Sequence, residues 1–269
     1  MVKNLVIIKL GGSVITDKNI NKPIFKKRVV KRLCREIYAA KKREKFNLIL
    51  VHGAGSFGHY TAKKFKLNKG YLGPESSIGV TLTKKEVLEL NLLLITELIN
   101  VGINVSLVET SAVAKTNGGI IEKFDTSIIK DLLTKNITPV LSGDVVFDSK
   151  MGIAILSGDQ IATYLAKKLG ADKVVFVSNV DGIFDKNPNI HKNAKLIPEI
   201  NKTNYKKVIN QMKIHNKSDV TGEMKGKIQA IRKDLSGAKV LIINGLKEGN
   251  MLKSLISPNG HKIGTVLEF

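Results

Sequence analysis

Apolar and polar positions follow two periods along this chain. Short, largely β-branched runs at residues 2–10, 47–51, 104–108, 138–141, 172–177, 239–243 and 262–267 read as buried strands. Helical spacing fills the intervals. Over 25–45, Val29, Leu33, Ile37 and Ala40 share one side, with lysines and arginines opposite. Over 81–100, Val87, Leu90 and Leu94 fall on one face, with Val80 just ahead of them. Residues 113–124 predict a hairpin through Asn117-Gly118-Gly119. Asp125 or Thr126 caps a helix to residue 135, and Ser157-Gly158-Asp159-Gln160 opens another to Leu169. Ser142-Gly143-Asp144 reads as a plain hairpin turn into 145–148. Residues 190–220 are polar and predict an excursion with one short helix, and 219–227 begin a helix to Leu235. Strands alternating with helices predict an α/β fold, its mainly parallel sheet covered on both faces.

Two glycine turns stand at predicted strand ends. Lys9-Leu10-Gly11-Gly12-Ser13 closes the first strand, and Val51-His52-Gly53-Ala54-Gly55-Ser56 closes the second. Ser56 reads as the cap of a helix that carries His59, Lys63 and Lys64. Glycines let backbone N–H groups approach an anion, a helix start adds positive potential, and Lys9 neutralises charge. Lys9 precedes its glycines, so neither the P-loop nor the dinucleotide pattern applies. Lys18 folds back over the same space in this reading. Asp159, at a helix start, serves either as an N-cap or as a carboxylate that orients lysines from other loops.

Composition narrows the classes. The 269 residues are 43% hydrophobic, enough for a full core. The apolar run Leu5 to Ile8 is too short for a signal peptide's core and no stretch reaches membrane-spanning length, so a cytoplasmic protein without a membrane partner is expected. The lone Cys34 has no internal partner, and no Cys/His cluster has zinc spacing. Lys+Arg 44 against Asp+Glu 23 gives +21, which invites a nucleic-acid reading. The lysines are scattered along predicted helices and aromatics are only 5%, so no nucleic-acid partner is expected and the field serves small anions.

The ordered set Lys9–Ser13, His52–Gly55, Gly158-Asp159-Gln160, Ser178-Asn179-Val180-Asp181-Gly182-Ile183 and Thr221-Gly222 with Gly226-Lys227 resembles the amino-acid-kinase superfamily over the whole chain. His59 after the glycine loop, Lys18 in an Asp-Lys pair and Asp219-Val220-Thr221-Gly222 resemble, within it, the isopentenyl phosphate kinases. The resemblance implies a three-layer αβα sandwich, amino-acid-kinase-like, as a single domain and homodimer. An acceptor lobe with the dimer interface would span about 1–170 and a nucleotide lobe about 171–269. It implies ATP, with Mg²⁺ on its phosphates, as phosphoryl donor to isopentenyl phosphate. No carboxylate cluster marks a metal cage. Lys9, Gly11, Gly12, Ser13 and Gly55 would hold the ATP phosphates, with Gly222 and Lys227; Asn179, Asp181 and Gly182 would border the adenosine. Ala54, Gly55, His59 and Gly158 would hold the acceptor phosphate, and Val80, Val87 and Leu90 its tail. Catalytic roles fall to Lys9, Lys18, His59, Asp159 and Lys227, with Asp159 orienting Lys9 and Lys227. The small Val80 and Leu90 imply room for a longer tail. Two alternatives remain: a kinase of another small acid on the same frame, such as an acetylglutamate-like or fosfomycin-like acceptor, and a non-catalytic nucleic-acid binder.

Overall fold

Strand β1 (Leu5–Leu10) is apolar at every position except Lys9, and its side chains divide by parity. Leu5 and Ile7 enter one core cluster, whereas Val6, Ile8 and Leu10 enter the other. A strand covered by helices on both faces has this composition. The computed structural model describes residues 4–17, 22–188, 190–214, 228–229, 231–233, 235, 237–257 and 263–269.

After β1 come α1 (Gly12–Ile15), α2 (Lys27–Arg43), β2 (Asn47–His52), α3 (Gly55–Lys64) and α4 (Pro74–Asn100). The chain continues through β3 (Val105–Leu107), α5 (Thr110–Val113), β4 (Ala114–Asn117), β5 (Ile120–Phe124), α6 (Ser127–Thr134), β6 (Thr138–Ser142), β7 (Asp144–Asp148), β8 (Gly152–Leu156) and α7 (Gly158–Leu169). It closes with β9 (Lys173–Ser178), β10 (Ile183–Phe184), β11 (Leu196–Ile197), β12 (Glu199–Asn201), α8 (Tyr205–Ile214), β13 (Lys239–Asn244), α9 (Asn250–Ile256) and β14 (Gly264–Glu268).

The main sheet has eight strands in the order β12-β14-β13-β9-β1-β2-β6-β3. Its neighbours run parallel except β13 and β14, which are antiparallel. On one face α7 and α8 supply Ile161, Leu165, Val208 and Ile209 to the core; on the other α2, α4 and α9 supply Leu33, Ile37, Leu94 and Met251. This is the expected αβα sandwich. A smaller sheet, β5-β4-β7-β8, stands beside it. No helix among the described residues is long and apolar enough to cross a membrane.

Four local expectations need correction. Ser142-Gly143-Asp144 is no hairpin turn: Ser142 ends β6 in the main sheet, Asp144 begins β7 in the small one, and the hairpin proper joins β7 to β8. Residues 199–201, inside the expected excursion, form a parallel edge strand on β14. An edge strand is held by backbone bonds and requires no apolar run. Helix α4 begins at Pro74, seven residues before the sequence signal, with proline in its first turn where a missing N–H costs nothing. Ser56 caps no helix; its Oγ accepts from Ile24 N instead, and its own N–H donates to Thr16 Oγ1 at 2.9 Å.

Candidate functional site

Strand β1 lies between β9 and β2, so the connections after β1 and β9 lead to opposite sides of the sheet. A crevice opens outside strand ends at such a switch point. Lys9 reaches into it from β1, and the Gly11-Gly12 and Gly53-Ala54-Gly55 turns border it. The turns interlock: a Cβ on Gly12 would lie 2.7 Å from Gly55 Cα, and Gly55 itself has φ +54. Thr16 fastens the junction, its Oγ1 donating to Gly12 O at 2.7 Å while accepting from Ser56 N. The first N–H groups of α1 and α3 have no partner within their own helices and stand at this junction.

Opposite, α7 opens with a capping box in which Ser157 Oγ accepts from Gln160 N and Gln160 Oε1 accepts from Ser157 N. Ser157, not Asp159, is therefore the N-cap. That frees Asp159 to meet Lys9, whose Nζ lies 2.8 Å from Oδ1, with the lysine side chain 13% exposed. Of the two readings of Asp159, the structure supports the one that orients a lysine.

A cavity of about 270 Å³ extends from this pair. Lys9, Gly12, Ala54, His59, Gly158 and Asp159 line its polar end, and Ala62, Val87, Val145, Ile155 and Leu156 its apolar wall. Val87 lies in that wall. Leu90 is not: it is fully buried in the core between the sheet and α2. Val80 packs beside Phe65 against Leu67 and Ile153, outside the cavity. Neither residue's size sets the tail space, so the expectation of a longer tail on that ground is withdrawn. Thr83, unsuspected in the sequence, takes a place in the wall.

Asn179, Asp181 and Gly182 follow β9, one strand away from Lys9, and none lines the cavity. Asn179 is exposed. Asp181 accepts from Asn244 Nδ2 at 3.0 Å and from Lys247 Nζ at 2.8 Å, and the ammonium holds its carboxyl below the usual range. Gly11 N donates to Val177 O, tying the first glycine turn to this loop. Ser13 lies beside Gly12 in α1. Lys18, Gly222 and Lys227 lie outside the described residues.

Two polar side chains beside the site had no role assigned from the sequence. Lys84 Nζ lies 3.0 Å from both Asp144 Oδ2 and Glu109 Oε1, bridging α4 to β7 beside the cavity. Burial alone lowers its pKa, and the two carboxylates outweigh that and leave it raised. His52, with no exposed surface, sits beneath Gly53, its Nε2 2.5 Å from Asn91 Oδ1 and its Nδ1 3.1 Å from Gly53 O. Burial pushes this imidazole below its ordinary 6.5, and Lys9 acts in the same direction. The unfolded chain therefore takes up a proton near pH 6.5 that the folded ring accepts only at lower pH. Stability is full above that value and falls as pH drops towards the ring's lowered pKa. Thermal melts between about pH 7.5 and 5 are expected to show this decline in the wild type and a shallower one in His52→Gln; equal slopes would refute the assignment.

Among the described residues no group of three His, Cys, Asp or Glu could hold a metal ion. The hydrogen-bond donors at the polar end are backbone amides, Lys9 and His59, a set that attracts anions, and Asp159 stands there paired with Lys9.

Comparison with known proteins bears on this geometry. The sequence profile of the amino acid kinase family matches residues 4–244. An isopentenyl phosphate kinase from Methanocaldococcus jannaschii is 36% identical over 98% of this chain and 99% of its own. One from Methanothermobacter thermautotrophicus is 32% identical over 94% and 95%. A solved isopentenyl phosphate kinase superposes with a TM-score of 0.83 at 30% identity, covering 98% of this chain and 99% of that one.

Proposed function

The chain belongs to the amino acid kinase family, and on that premise we propose that it transfers a phosphoryl group from ATP to isopentenyl phosphate, giving isopentenyl diphosphate. One observation carries the reading: the Lys9–Asp159 pair and the glycine turns form an anionic-ligand end that runs directly into a small apolar wall. A phosphate monoester with a short hydrocarbon tail has the same two halves. Its second pKa is about 6, so near neutral pH the attacking oxygen is already ionised and needs no general base. The obstacle is repulsion between two anions, and a desolvated lysine with aligned amides answers it by positioning and charge stabilisation.

In this arrangement Lys9 and the amides of Gly12, Ser13 and Gly55 hold the donor phosphates, while Ala54, His59 and Gly158 hold the acceptor phosphate. Lys18 and Lys227 approach the transferred group, with Asp159 orienting the cations. Asn179, Asp181 and Gly182, with Gly222, border the nucleotide in a lobe made by about residues 171–269; the acceptor lobe is about 1–170. Mg²⁺ would enter on the nucleotide's phosphates, where it offsets their charge, since the donor set around Lys9 provides no cage for it. Release of ADP that depends on isopentenyl phosphate, read in a coupled assay, tests the function. Release with N-acetylglutamate or glutamate and none with isopentenyl phosphate would replace the acceptor.

The chain acts as a homodimer in this proposal. Ile78, Leu82, Leu92 and Ile99 recur at helical spacing along α4 and are 41–58% exposed, an apolar stripe for a second copy to cover. Leu92→Glu is expected to shift the light-scattering mass from twice the chain mass to that of one chain. An unchanged mass would place the interface elsewhere.

A further inference from the structure

The cavity's apolar wall contains one polar atom that the proposed substrate leaves idle. Thr83 is 4% exposed and lines the cavity beside Val87, and its Oγ1 has no hydrogen-bond partner among the described residues. The other polar side chains there are occupied. Lys9 pairs with Asp159, Asp144 accepts from Val145 N, Ser111 N and Lys84, and Ser157 caps α7. Helical threonines ordinarily settle their hydroxyls on the carbonyl four residues back. In this chain Thr81, Thr96 and Thr163 do so, at 3.0, 2.8 and 2.8 Å. Thr83 departs from its neighbours' habit at the position facing the cavity.

A hydrocarbon tail that covers Thr83 strands its hydroxyl without a partner, which is unfavourable. A tail bearing its own hydroxyl removes that penalty, and a site with an unmatched polar group discriminates between the two. We propose that Thr83 is a specificity-determining residue that makes hydroxyl-bearing, five-carbon phosphate monoesters preferred acceptors of this cavity. The inference rests on the acceptor-site reading above and leaves the chemistry unchanged: the bond from phosphorus to the ADP bridging oxygen breaks, one to an acceptor phosphate oxygen forms, and ADP leaves.

The test uses a skeleton-matched pair, isopentenyl phosphate and 3-hydroxy-3-methylbutyl phosphate, with wild type, Thr83→Val and Thr83→Ser. The ratio of kcat/KM for the hydroxylated over the unsaturated phosphate is expected to fall about tenfold in Thr83→Val, through KM, and to stay within about threefold of wild type in Thr83→Ser. A general packing defect would lower kcat/KM for both phosphates alike and leave their ratio unmoved, so the ratio separates the two cases. A ratio unchanged by Thr83→Val overturns the inference while leaving the kinase reading intact. If wild type turns over neither phosphate, the kinase reading fails. Calorimetric dissociation constants of the two phosphates, measured without ATP, then decide the matter for Thr83: the same tenfold change supports it, and no change or no binding overturns it.

Discussion

Lys9→Met is expected to lower kcat for isopentenyl phosphate by about 10³-fold, the scale of losing a preorganised charge at a transferring group, while the melting temperature stays within a few degrees. Lys9 is the cation that the structure places at the junction of both glycine turns, and its stem passes Gly158 closely enough that a Cβ there would sit 3.4 Å from Lys9 Cε. Removing the ammonium does two kinds of damage. The phosphates lose their counter-charge, and Asp159, 2.8 Å from the ammonium in the wild type, loses that partner and turns a less compensated carboxylate towards two anions. The double variant Lys9→Met with Asp159→Asn is therefore expected to be less impaired than the product of the single losses, because its second change removes the repulsion exposed by the first. Lys9→Arg should not rescue, since a planar guanidinium is bulkier than an ammonium and cannot pass Gly158 in the same way. The measurement is kcat at saturating ATP and acceptor; retention within fivefold in Lys9→Met would mean that the phosphates dock away from the end of β1.

Why these residues were legible while others were not has a physical basis. Lys9 and the two glycine turns are local patterns: a β-branched run, then backbone that must approach something closely. Asp159 was legible as one of two alternatives, and the capping box of Ser157 and Gln160 decided between them. Helical spacing on α4 identified its apolar face but not what covers it. That helix passes from the small cluster around Leu67, past the cavity, to the main core, so Val80, Val87 and Leu90 share a face yet meet three different surroundings. Nothing in the sequence marks Lys84, because its partners Asp144 and Glu109 are distant in the chain. Ser56 has the composition of an N-cap, yet the acceptor for its N–H is Thr16, forty positions earlier. Long-range pairing of polar groups leaves no period in a sequence, so the support beneath the site is visible only in the fold.

In the proposed reading His59 separates this acceptor from others on the same frame, and its loss is expected to lower kcat/KM for isopentenyl phosphate by about 10²- to 10³-fold. It stands in the second turn of α3, exposed and lining the polar end of the cavity beside Ala54 and Gly58. From there an imidazole N–H can donate to a phosphate oxygen that gains charge-sharing contacts as the bridging bond to ADP breaks. Its exposure is the reason substitution should leave the fold intact, in contrast to the buried His52 at the end of β2. Because the donor phosphates are assigned to Lys9 and the glycine amides, KM for ATP in His59→Ala is expected to stay within about twofold of wild type. His59→Gln, which keeps a donor at shorter reach, should recover part of the loss; a residue acting only as a general base would show no such recovery, and none is required for an ionised monoester. Steady-state kinetics of both variants against varied acceptor and varied ATP give the answer. Undiminished turnover in His59→Ala would remove the residue that favours a phosphate acceptor over a carboxylate one, and equal losses in KM for both substrates would place His59 between them rather than on the acceptor.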